Sequence, residues 1–179
     1  MKKIILLLAF VASFLCSCGP NTELQRFYVQ EAFAKYNHLA KIELLGSQWN
    51  YMHHMQKLIT YDVAVTLSPK IGRQVENWEI ADYNKYRNIV SFDELMVELP
   101  DFKSEDYNNM LRLQEAYACN AVAFVLKSYQ ENTRKSIGME YQQTCELVIA
   151  EVLERHPIVH KNWAKPNLKT AFKTAVFFY

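Results

Sequence analysis

Apolar side chains recur every three or four residues through most of this chain, the spacing of one face of a helix. Leu24, Tyr28, Ala32, Tyr36, Leu39 and Ile42 form the first such stripe, and Asn21 or Thr22 stands where an N-cap belongs. Val75, Trp78, Tyr86 and Ile89 mark another in a segment from about Arg73 to Val90. Ser91-Phe92-Asp93-Glu94 then matches a capping box, with Pro100 ending the short turn it opens. From Ser104 to about Thr133 neither Gly nor Pro intervenes, and Ala116 to Leu126 is apolar almost all round except for Asn120. Such a stretch predicts a central helix covered by neighbours. Tyr141, Cys145, Val148 and Val152 predict a further amphipathic helix closed by Pro157, and Leu168, Phe172, Ala175 and Tyr179 fit a last one.

The breakers agree with long elements. Gly46, the stretch Pro69 to Gly72, Pro100, Gly138, Pro157 and Pro166 divide the chain into uninterrupted lengths better suited to helices than to strands. The main ambiguity is Leu58 to Leu67, where Ile59, Tyr61, Val63, Val65 and Leu67 alternate with Thr60, Asp62, Ala64 and Thr66. Alternation is a strand signal, but no partner strand stands nearby, and Trp49, Met52, Ile59 and Val63 also fit a helical face. The expectation is an all-α, compact bundle of about five or six helices, with a short strand near 58–67 as the alternative.

The amino terminus carries a different signal. Met1-Lys2-Lys3 is a positive start, Ile4 to Leu15 an apolar run too short to span a bilayer, and Ser17 a small residue before Cys18. Leu15-Cys16-Ser17-Cys18 resembles the lipobox of bacterial lipoprotein precursors. The resemblance covers only this signal, and no family is identified for the rest of the chain. It implies cleavage after residue 17 and acylation of Cys18 on its thiol and its new amino terminus, giving a membrane partner through a lipid anchor. Cys16 fits less well, because it would put Leu15 where a small residue belongs. The implied organisation is a signal peptide over 1–17, a lipidated tether over 18–22 and a single helical domain over 23–179. In Gram-negative lipoproteins an aspartate after the modified cysteine favours inner-membrane retention, and Gly19 stands there instead. The resemblance therefore implies the cell envelope, with the periplasmic face of the outer membrane favoured.

Charge narrows the partners. Lys and Arg total 20 against 19 Asp and Glu, so the footprint of a nucleic-acid binder is missing. Loss of Lys2 and Lys3 with the leader would leave the acidic residues one ahead, and no polybasic membrane patch is indicated.

Candidate chemistry is sparse. His53 and His54 lie in Trp49-Asn50-Tyr51-Met52-His53-His54-Met55, a mixture of imidazoles and thioethers acceptable to copper. Adjacent helical residues diverge by about 100°, so the pair would need further ligands. His156 and His160 are separated by four positions, but Pro157 interrupts them. No Glu-x-x-His, His-Glu-x-x-His, Gly-x-Ser-x-Gly or phosphate-binding glycine loop occurs, and no cofactor is indicated. Glu79 and Asp82, three residues apart on one helical side, are the candidate acid and base pair; the alternative is that they border the apolar stripe and pair with Lys85, Arg87 or the cations of another helix. Glu115 and Asn120 are expected as hydrogen-bonded core or interhelical groups, the alternative being that they line a site. Cys119 and Cys145 are the candidate disulfide, available in an oxidising envelope. Trp78, Tyr83 and Tyr86 are candidates for a binding surface, since Tyr and Trp are enriched in interfaces.

Two function classes follow. The first is a noncatalytic, membrane-anchored envelope lipoprotein that binds another envelope protein or plays a structural part, an immunity-like, toxin-neutralising role being one version. The second is a cell-envelope hydrolase using Glu79 and Asp82. Small-ligand or metal carriage is a third reading.

Overall fold

The computed structural model describes residues 22–37, 46–87 and 104–158. Among these residues the chain forms five α-helices and no strand: α1 (Glu23–Asn37), α2 (Gly46–Lys70), α3 (Asn77–Arg87), α4 (Ser104–Thr133) and α5 (Gln142–Arg155), with a 3-10 turn at Met139–Tyr141 before α5. The expected signal peptide, Cys18, the expected capping box at Ser91, His160 and the last expected helix lie outside the described residues.

α4 is the hub, packed by α1, α2 and α5, while α2 also holds α3 and α5. Along α4, Ala116, Ala118, Val122, Ala123, Val125 and Leu126 have no exposed surface. Alanines on several sides allow neighbouring helices to approach α4 closely, since side-chain size at the contact sets the interaxial distance. Asn120 stays half-buried. Leu24, Tyr28 and Ala32 of α1 are buried in the same core, as are Cys145, Val148 and Val152 of α5.

Residues 58–67 are helical, not a strand. Met52, Met55, Ile59, Val63 and Leu67 are all buried in the core, at the three- and four-residue spacings of a single face of α2. The apparent alternation arises because Tyr61 and Val65 are half-buried on a neighbouring side of the helix. Continuous helical hydrogen bonding satisfies a backbone that would otherwise need a partner strand.

The ends follow capping chemistry. Thr22 caps α1, its Oγ1 accepting the Gln25 backbone N–H at 2.9 Å. α2 ends at a Schellman motif: Gly72 adopts φ +74°, its N–H reaches the Pro69 carbonyl, and the Arg73 N–H donates to the Ser68 carbonyl at 2.8 Å. This turn moves the start of α3 from the expected Arg73 to Asn77, because the chain between them is spent on reversal. α4 ends with Arg134 in the left-handed region, φ 57°, its N–H returned to the Gln130 carbonyl at 2.8 Å.

Candidate functional site

The reversal after α2 delivers Arg73 into the corner where α2, α3 and α4 meet. Its guanidinium donates through Nη1 to Ser68 Oγ and to Glu79 Oε2, both at 2.8 Å, and through Nη2 to Ser128 Oγ of α4 at 3.1 Å. The Arg73 and Glu79 side chains are 5% and 0% exposed, which makes this a dry ion pair. Glu79 is also the N3 residue of α3, and Oε2 accepts the backbone N–H of Glu76 at 3.0 Å, the side-chain half of a capping box. Its other oxygen, Oε1, is buried and has no hydrogen-bond partner among the described residues.

Beside Glu79 lies a partly enclosed cavity of about 180 Å³. Tyr61, Trp78 and Phe124 supply aromatic walls, and Ala64 and Ala121 leave room where larger side chains would fill the gap. Trp78 is half exposed at the rim. Its ring meets Tyr61 edge to face at 6.2 Å, and Tyr61 stacks on Tyr86 at 5.7 Å and 11°. Lys57 covers the Tyr86 ring at 4.9 Å and donates to its hydroxyl at 3.0 Å. Burial pushes the Tyr61 hydroxyl up to about 12, assisted by its hydrogen bond to Asp82 and that carboxylate's charge.

The structure thus brings Trp78 and Tyr86 together through Tyr61, while Tyr83 lies apart from that stack, beneath the Arg87 guanidinium at 6.0 Å. Glu79 and Asp82 serve different partners, Arg73 and Tyr61, and neither uses the cations on its own helix that the sequence offered. Asn120 does line the cavity, whereas Glu115 pairs with Lys35 of α1 at 3.0 Å across the α1 and α4 contact.

A second polar cluster joins α2 to the end of α5. Asp62, 1% exposed, accepts from Arg155 Nη1 at 3.0 Å and lies 3.0 Å from His156 Nε2, with Thr66 Oγ1 at 3.3 Å. The His156 carbonyl accepts from Gln114 of α4 at 2.9 Å. The sequence reading missed Arg73, Ser128, Asp62 and Arg155. Only Gly72 signalled that the residue after it would be turned inward.

The remaining candidates are not gathered into a site. Among the described residues no group of three His, Cys, Asp or Glu converges on a metal position. The rings of His53 and His54 are 6.3 Å apart, and partial burial, with Lys57 and His54 nearby, lowers the His53 pKa. The proposed bridge is not formed: Cys119 and Cys145 are free and buried, and the Tyr28 hydroxyl beside them donates to the Gln142 carbonyl at 3.3 Å. Burial pushes both thiols up to about 12. No described helix is long and apolar enough to cross a membrane. No protein-family model matches the chain, and neither a curated protein nor a solved structure matches it, so the functional reading rests on the geometry of its own residues.

Proposed function

We propose that this chain is a lipid-anchored envelope protein, tethered through Cys18, whose helical domain binds another envelope protein without catalysing a reaction. The observation that supports the binding role is Trp78, half exposed on α3 and backed by the ordered Tyr61 and Tyr86 stack. A large aromatic ring kept in place by its neighbours loses little conformational freedom on binding, as an interface anchor requires. Glu79 weighs against the hydrolase reading, because one of its oxygens is occupied by Arg73 and a backbone amide, and Asp82 lies close enough to Tyr61 for its charge to act on that hydroxyl. Their roles are those of a corner brace and a tyrosine partner.

The anchor is tested by feeding cells an alkyne-bearing fatty acid. The parent chain is expected to take up label and Cys18→Ala to lose it; labelling that survives the substitution would refute tethering at this residue. Binding is tested separately by placing a photo-crosslinking phenylalanine at position 78 and, in a second chain, at the exposed Leu147 of α5. A discrete adduct from position 78 alone is the expected result. Equal adducts at both sites, or none at 78, would reject the Trp78 surface.

A further inference from the structure

We propose that the cavity between α2, α3 and α4 binds a small, neutral aromatic molecule carrying an O–H or N–H donor, of the phenol or indole class. This site lies behind the Trp78 surface and does not depend on protein binding there. Four observations select that chemistry. The volume, about 180 Å³, is slightly larger than the roughly 150 Å³ apolar cavity known to admit benzene, so it suits one ring system with a substituent or a fused second ring. The lining is predominantly apolar, and Tyr61, Trp78 and Phe124 offer faces and edges for a planar ring.

Glu79 supplies the polar requirement. It is wholly buried, it lines the cavity, and among the described residues its Oε1 has no hydrogen-bond partner while Oε2 has two. Leaving a buried acceptor unmatched is costly, so an occupant that donates to it is favoured over one that does not. The charge of the occupant follows from Arg73. Its guanidinium already balances the carboxylate, so a cationic ligand would bring an uncompensated charge into a desolvated corner, and an anionic one would meet the carboxylate itself. A neutral donor meets neither penalty. Gln56, Thr60 and Asn120 also line the space and can hold water at its polar edge, but the Tyr61, Trp78 and Phe124 rings and the alanine methyls leave the rest of the wall to an apolar ring.

Titration calorimetry of the full-length chain with phenol, indole, benzene and benzylamine tests the assignment. Phenol and indole are expected to saturate one site at least tenfold more tightly than benzene, the factor a single hydrogen bond to a charged acceptor provides, and benzylamine to bind more weakly than phenol. Ala121→Leu, which fills the cavity from α4, is expected to abolish saturable binding while retaining a cooperative melt; Ala64→Leu fills it from α2 should the first variant not fold. Independently of any variant, nuclear Overhauser contacts are expected between ligand ring protons and the Phe124 and Tyr61 rings. Equal affinity for phenol and benzene would overturn the role of Glu79. Lack of saturable binding by any probe, survival of binding in a folded filled variant, or absence of those ring contacts would overturn the site.

Discussion

Two buried carboxylates, Glu79 and Asp62, are held in opposite ways. Glu79 sits in a closed corner, where its cation Arg73 is buried with it and is shared with serines from α2 and α4. Asp62 is equally buried, but its cation Arg155 is 44% exposed and also bonded to Glu151, and a histidine and a threonine complete its shell. A dry pair gains little net energy over an apolar isostere yet is costly to break, whereas a pair open to water can rearrange when a partner is lost. The corner therefore fixes how α3 leaves α2, and the Asp62 cluster works as a latch on the end of α5.

Breaking the corner should give the largest effect. Glu79→Ala leaves Arg73 buried without its counter-charge and is expected to lower stability by about 3–5 kcal/mol, read from urea unfolding midpoints. The double change Arg73→Met with Glu79→Leu should recover most of that loss; a double variant as unstable as the single one would mean that the serine contacts, not the charges, dominate. Opening the latch should do less. Asp62→Ala is expected to lower stability by about 1.5–3 kcal/mol, the scale of hydrogen bonds to charged groups. Added salt should weaken the parent latch more than the corner, because screening acts on the exposed Arg155. A cost for Asp62→Ala above that for Glu79→Ala would reverse the ranking.

The Lys35 and Glu115 pair extends the comparison to partners that are both partly exposed, 29% and 46%. Lys35→Ala should cost no more than about 1 kcal/mol in the same denaturation series. The smallest effect belongs to the core between these ion pairs. Because burial raises the Cys119 and Cys145 thiols to about 12, folding favours their neutral forms. Their contribution is complete below the ordinary thiol range near 9 and declines as pH climbs toward 12. Iodoacetamide at pH 8.5 should accordingly leave the folded chain largely unlabelled, with both thiols reacting promptly in urea without reductant. Rapid labelling of the folded chain would contradict the burial, and no labelling in urea would restore the disulfide.

How much of this could be read in the sequence depended on the range of the interaction. The span 104–133 was legible because the absence of Gly and Pro, together with an almost continuous apolar middle, belongs to a buried helix in any context. Residues 58–67 were ambiguous because half-buried Tyr61 and Val65 add apolar positions beside the Ile59, Val63 and Leu67 stripe and imitate a period of two. The start of α3 shifted because Gly72 closes a Schellman turn that occupies the next four residues. Glu79 and Trp78 were recognised as unusual, but the inward turn of Arg73, its bond to Ser128 and the cavity beside Ala64 and Ala121 require helices distant in sequence to be placed together. Local pattern holds no record of such a meeting.

The buried cap at Thr22 sets the reach of the proposed anchor. Four peptide units separate Cys18 from Thr22, and a fully extended chain covers at most about 3.5 Å per residue, so the leash is no longer than about 14 Å. With Cys18 acylated, the first turn of α1 would be held almost against the lipid headgroups. The domain would then explore the envelope by pivoting about one fixed end rather than by roaming, and its partners would be those able to approach within one domain's height of the bilayer.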